Sequence, residues 1–186
     1  ANSSAAITFN DAAAAEKAGL AGLSAERVQK EILRLLEADD PMPSLRAMAA
    51  RGILGDMLPG ALNLARLERL VAIDTDNFFT PDAVLRLAAL LPADGATAIA
   101  DKMRLSNAQR ERIADLMQAK EKIVSYLSIK EVRKLLYKIG PQRFKDRVFL
   151  KWADDPKASN TMQWRALLAL AASWQRPKFP LTGESV

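Results

Sequence analysis

The chain has 186 residues, 49% of them hydrophobic, and a formal charge of +5, which is enough apolar material for a sizeable core and too much for a disordered chain. It contains no cysteine and no histidine, which removes disulfides, thiolate metal sites, the commonest zinc ligand and the commonest general base. No uninterrupted apolar run approaches the roughly 20 residues that cross a bilayer, so a soluble, cytoplasmic protein with no membrane contact and an anionic partner is expected.

The Ala-rich opening, residues 1–22, has neither the basic start nor the apolar core of a signal peptide. It reads as a helical lead-in capped at Asn10 or Asp11, or as an expression remnant. Ser24 then stands at an N-cap, Glu26 places an anion near the positive end of the helix dipole, and Val28, Ile32, Leu35 and Leu36 form one apolar stripe. Asp39-Asp40-Pro41 breaks the pattern, and a second helix runs through Leu45 and Met48. Gly52 is placed to take a left-handed conformation before Ile53-Leu54.

Helical periodicity continues with Leu64, Leu67 and Val71, then with Val84, Leu87, Ala88 and Leu91, the latter introduced by Thr80 as cap and Pro81 at the first helical position. A break at Pro92-Ala-Asp-Gly95 precedes a change in charge character. Ser106 with Gln109, and Ser128 with Glu131, fit capping boxes and mark two further helix starts. A last helix begins near Asn160 or Thr161 and puts Trp164, Leu167, Leu168, Ala171 and Trp174 on one face. No segment alternates as a strand would, and no fixed repeat occurs. The expected architecture is all-α, an irregular array of helical hairpins without a sheet.

Basicity is local. Between Lys120 and Lys151 ten Lys and Arg residues face three acids, a net of +7, so the remainder of the chain sums to −2. Winding residues 129–139 as a helix sets Ile129, Val132, Leu135, Leu136 and Ile139 opposite Lys130, Arg133, Lys134 and Lys138, with Tyr137 among the bases. A following run carries Arg143, Lys145, Arg147 and Lys151 beside Phe144, Val148 and Phe149. Such an array suits phosphates, whose neutralisation releases condensed counterions, and an aromatic ring among the bases can stack on a nucleobase. A solvated face kept for solubility explains the same charges equally well on pattern alone.

The pattern Ser24-x-Glu26-Arg27-Val28-x-x-Glu31-(apolar)-x-x-Leu35-Leu36, followed by the Asp/Pro break and a helix ending Gly52-(apolar)-Leu54-x-x-(apolar)-(apolar)-Pro59, resembles the tRNA nucleotidyltransferase/poly(A) polymerase family. Gly60 departs from the acidic residue often found after that proline. A second likeness lies at Trp174-Gln175-x-Pro177-x-Phe179-Pro180-Leu181-Thr182-Gly183, similar to a linker of bacterial CCA-adding enzymes. The resemblance implies a helical lead-in or remnant over 1–22, neck and body helices over 23–95 with the RNA-binding-associated hairpin at 23–59, and basic body and tail helices over 96–186. It implies RNA, with tRNA the expected class, as a partner held through its phosphate backbone, and Lys130, Arg133, Lys134, Tyr137, Lys138, Arg143, Lys145, Arg147 and Lys151 as the residues that touch it. Glu26 and Arg27 become scaffold for a nucleotide-selecting neck.

The family's head carries a Gly-Gly-x-Val-Arg-Asp loop and an Asp-x-Asp pair that holds divalent metal, with Mg2+ and ATP or CTP as its cofactor and substrates. No such loop occurs in this sequence. Asp74-Thr75-Asp76 has the carboxylate spacing but follows a helical run and reads as helix termination; Asp39-Asp40 and Asp154-Asp155 precede prolines and read as turns. No catalytic or metal residue is therefore assigned, and a chain inactive by itself, a piece of a CCA-adding or poly(A)-adding enzyme, is expected. The rival is a helical protein-interaction module whose lysines only solubilise it; docking of the basic helices on anionic lipid would cost apolar sides needed for the core.

Overall fold

A computed structural model describes residues 24–58 and 60–178. Among these residues there are ten α-helices and no strand: α1 (Ala25–Leu36), α2 (Met42–Ala50), α3 (Ile53–Met57), α4 (Leu64–Asn77), α5 (Ala83–Leu90), α6 (Ala96–Lys102), α7 (Asn107–Met117), α8 (Ile129–Ile139), α9 (Pro141–Asp154) and α10 (Thr161–Ser173). The expected helix at Asn10 or Asp11, Pro59, and the stretch from Phe179 onward lie outside the described residues.

The local signals act where their chemistry predicts. The Ser24 hydroxyl accepts from the Arg27 amide at 3.2 Å, and both capping boxes, at Ser106 and Ser128, are closed in both directions. Gly52 stands at φ 73° between α2 and α3. One expected boundary moves: α5 starts at Ala83, with Asp82 rather than Thr80 as its cap. The Asp82 carboxylate accepts from the Leu85 amide at 3.1 Å, and a carboxylate caps more strongly than a threonine hydroxyl.

Helix α5 is the central element. Every residue from Leu85 to Leu91 is buried, Arg86 included, and α5 packs on α1, α4 and α7. A helix buried this completely must satisfy its terminal backbone groups within the protein. At its C-terminal end Arg66 donates to the carbonyls of Ala88, Ala89 and Leu91, and the Leu90 carbonyl accepts from the Asn63 amide at 2.7 Å. In its middle, the Arg86 guanidinium is 1% exposed; it donates to Asp74 Oδ2 at 3.1 and 3.2 Å and to the carbonyls of Leu36 and Ala38 at 2.9 and 2.6 Å. One side chain thus ties α5 to the ends of α1 and α4.

Helix α9 is the second hub, touching α4, α7, α8 and α10. Phe79 meets Phe149 edge-on at 5.3 Å and Trp152 at 6.3 Å, and Arg69 on α4 donates to the Ala153 carbonyl. Asp155 organises the turn into α10 by accepting from the Lys157 amide, Asn160 and the Trp164 indole. Trp164, Leu167 and Ala171 are buried, while Leu168 and Trp174 are partly covered. One hydrophobic cluster runs from Ile32 to Ala171.

The Asp74-Thr75-Asp76 run lies in the last turn of α4, which closes at Phe78 in the left-handed region (φ 59°) with the Phe79 amide donating to the Asp74 carbonyl at 2.9 Å. It does not suit a metal. Asp74 faces Arg86, and residues two apart on a helix point roughly 200° away from each other. Burial pushes the Asp74 carboxyl up to about 6, with the Arg86 charge opposing the shift.

Two outcomes follow from this packing. Asp74→Ala leaves Arg86 buried and unpaired and should lower stability by about 3–5 kcal/mol in urea denaturation. Because the Asp74 pKa rises from 3.8 to about 6 on folding, the folded chain holds a proton the unfolded chain has released, so this group's contribution to stability falls as pH rises through that window; Asp74→Asn should flatten that segment of the stability profile. Phe78, 96% exposed, gains nothing from burial to offset its left-handed backbone, and Phe78→Gly should stabilise by roughly 0.5–1 kcal/mol.

Candidate nucleic-acid interface

The Ser128 capping box starts α8, and Gly140-Pro141 both ends it and starts α9. Val132 and Leu136 are fully buried beneath α8, which leaves Lys130, Arg133, Lys134, Tyr137 and Lys138 exposed on the other side. Lys130, Arg133 and Lys134 have no ion-pair partner among the described residues; Lys138 reaches Glu121 at 3.5 Å. Ile129, expected on the buried arc, is 55% exposed; it sits in the first turn of α8 and lines an open groove with Gln163, Ala166 and Ala169 of α10.

The basic residues of α9 divide into two kinds. Arg147 is 6% exposed, donating to Asp115 on α7 at 3.0 Å and to Glu121, while Arg143 lies 3.5 Å from the same Asp115. Arg147 is therefore a structural tie between helices and stands apart from the exposed strip. Lys151 is exposed and Lys145 half-buried, and winding places Lys145 roughly 200° from Arg143. The two basic runs do not merge into one continuous face; α8 carries the coherent part. Asp115, which lies upstream of the basic run, was not legible as the acid that neutralises it.

Neighbouring arginines hold the frame beneath. Arg112 on α7 bridges Asp82 at 2.7 Å and the buried Asp146 of α9 at 2.8 Å, and the hydrogen bond to Asp146 raises its already high pKa further against the opposing effect of burial. Burial pushes Asp82 upward, but the Arg112 hydrogen bond and the Leu85 and Val84 amides hold it below the usual carboxylate range. Glu121 is also held low by backbone hydrogen bonding, with Arg147 and Lys138 assisting.

Two features of the surface escaped the sequence reading. Arg176 lies over the Tyr137 ring at 5.1 Å and near the Trp174 ring at 5.9 Å, adding a cation at the C-terminal end of α8. On α1, Arg27, Lys30 and Arg34 are all exposed and fall at i, i+3 and i+7, a single basic stripe; that spacing was readable. Glu26 pairs across the surface with Arg104 at 2.6 Å, in the turn between α6 and α7. Its carboxyl is held low first by backbone hydrogen bonding and then by Arg104. Arg27 points to solvent beside it.

Among the described residues there is no group of three or more acidic side chains arranged to hold a metal ion, and no helix is long and apolar enough to cross a membrane.

Residues 11–64 match the family described as "Probable RNA and SrmB- binding site of polymerase A", a stretch that takes in α1, α2 and α3 and reaches the first residue of α4. A segment of 58 residues is 40% identical to the "Uncharacterized 28 kDa protein in petA 5'region" of Rhodospirillum rubrum, covering 28% of this chain and 23% of that protein. The match thus spans about a quarter of the relative's length. The stretch 11–64 is thus similar to a region described as a probable RNA-binding site of polymerase A.

The division of cations has a measurable consequence. Arg147→Ala should cost about 3 kcal/mol in urea denaturation, because two acids lose a buried partner, whereas Lys130→Ala should change stability by less than about 0.5 kcal/mol.

Proposed function

We propose that this chain is the helical RNA-binding portion of a tRNA nucleotidyltransferase of the CCA-adding type, or of a poly(A) polymerase, and serves tRNA 3′-end processing by holding the RNA backbone. The observation that carries the reading is the coincidence of the likeness of residues 11–64 to a probable RNA-binding site of polymerase A with two exposed basic faces that have no ion-pair partner among the described residues, Arg27, Lys30 and Arg34 on α1 and Lys130, Arg133 and Lys134 on α8. Neither face presents a loop for reading base edges. Cations on rigid helices contact phosphates by position, which favours recognition of RNA by shape rather than by sequence.

Nucleotidyl transfer, with Mg2+ and ATP or CTP, is assigned to a catalytic head of the whole protein, and no residue of this chain is given a role in it. Glu26 fits the scaffold role through its tie to Arg104, while the exposed Arg27 fits RNA contact better.

The test is retention of tRNA on filters across a salt series. Wild type should lose affinity log-linearly with salt, by a slope of about 0.9 per phosphate neutralised on duplex RNA-like backbone. Arg27→Glu/Lys30→Glu/Arg34→Glu and Lys130→Glu/Arg133→Glu should each weaken binding and flatten the slope by roughly two to three. Salt-independent binding of a protein partner, with tRNA retention untouched by both variants, would favour the interaction-module reading instead.

A further inference from the structure

Between the segment 122–128 and α8 lies a groove of about 500 Å³, within the roughly 300–1,000 Å³ typical of small-ligand sites. Its floor is apolar, formed by the half-buried Val124, Leu127 and Leu135. Its rim carries Lys122, Lys134 and Lys138, all exposed, and at one end stands Tyr126, 71% exposed and in contact with no other aromatic ring among the described residues. Of the nearby acids, Glu131 accepts from the Ser128 amide at 2.9 Å to close the helix cap, and Glu121 is held mainly by the buried Arg147, so that Lys138, at 3.5 Å from it and exposed, can turn to a phosphate. An apolar floor, a free aromatic face and three lysines around them match the parts of one nucleotide: a flat ring to stack and cover, and a phosphate to neutralise.

We infer that this groove takes an unpaired nucleotide of single-stranded RNA, its base against Tyr126 and the Leu127–Leu135 floor and its phosphates on Lys122, Lys134 and Lys138. The inference rests on the RNA-binding reading above and adds to it a site that distinguishes unpaired from paired RNA. A base locked in a duplex cannot enter, because its faces are covered by its neighbours and its edge by its partner. The charged helical faces bind either form; the groove binds only a strand end or a splayed loop. Binding at the groove is sequence-tolerant, since every base has a face to stack.

Fluorescence anisotropy with the full chain tests this, using a short single-stranded oligoribonucleotide and a blunt RNA duplex of equal phosphate number. Tyr126→Ala should weaken the single strand roughly five- to a hundredfold, the range that stacking one base on an aromatic side chain provides, and leave the duplex within about twofold; Tyr126→Phe should retain wild-type affinity for both. Lys130→Glu/Arg133→Glu, whose residues lie outside the groove, should weaken both RNAs. If wild type binds both and Tyr126→Ala leaves them equally unaffected, the groove assignment is overturned and the RNA-binding reading stands. If wild type binds neither, both fall. Tyr126-dependent binding of an acidic peptide with no effect on the single strand would give the groove to a protein partner and overturn the proposal.

Discussion

The buried Arg86–Asp74 pair is the constraint on which the helical array depends. A guanidinium with almost no exposure must have its donors satisfied inside the protein, and it finds them in Asp74 of α4 and in the carbonyls of Leu36 and Ala38 at the end of α1. Those acceptors belong to two segments far apart in sequence, and the arginine to a third, so Arg86 sets where α1 may end and how α4 and α5 must cross. A wholly apolar helix at α5 could slide among its neighbours at modest cost; a helix with one buried charge has a single register in which all partners are present. The hairpin of α1 and α2 is thereby fixed relative to the remainder of the chain, and with it the exposed stripe of Arg27, Lys30 and Arg34.

The sequence made the helices legible and their long-range polar ties illegible. Capping residues, apolar stripes and glycine at positive φ are local signals, and Ser24, Ser106, Ser128 and Gly52 all act as their chemistry requires. Arg86 sits inside an apolar run where a pattern reading passes over it, and its partners are 12 to 50 residues distant. Arg147 shows the converse. It repeats with Arg143 and Lys151 along one side of α9, so periodicity groups it with the surface, yet Asp115 and Glu121 draw it inward. Winding a helix tells which residues share a side; it does not tell which side a neighbouring helix will cover.

The same distinction explains where the candidate interface was readable. The α8 face emerged because its apolar arc is clear enough to orient the helix without knowing its neighbours. The groove beside it depends on how the 122–128 segment folds back along α8, for which there is no periodic signal. The α1 stripe is present at helical spacing in the sequence, whereas the resemblance implies a scaffold role for Arg27.

The buried joints between helices use arginine, although exposed faces carry it too, as at Arg27 and Arg34 on α1. The interior and inter-helix ties are Arg66 on the α5 carbonyls, Arg86 on Asp74, Arg112 on Asp82 and Asp146, and Arg147 on Asp115 and Glu121. A planar fork with five donors can satisfy several acceptors at once in fixed geometry, which suits a buried joint. The face of α8 is mainly lysine, with Lys130, Lys134 and Lys138 exposed. Each is a point charge on a flexible stem, strongly hydrated, and can follow a phosphate through several positions without demanding one orientation. A surface meant to read bases would favour the arginine fork for its bidentate pairing. On α8, lysines set on a frame locked by arginines combine a rigid placement of charge with tolerance at their tips, and that combination fits a ligand recognised by the path of its backbone.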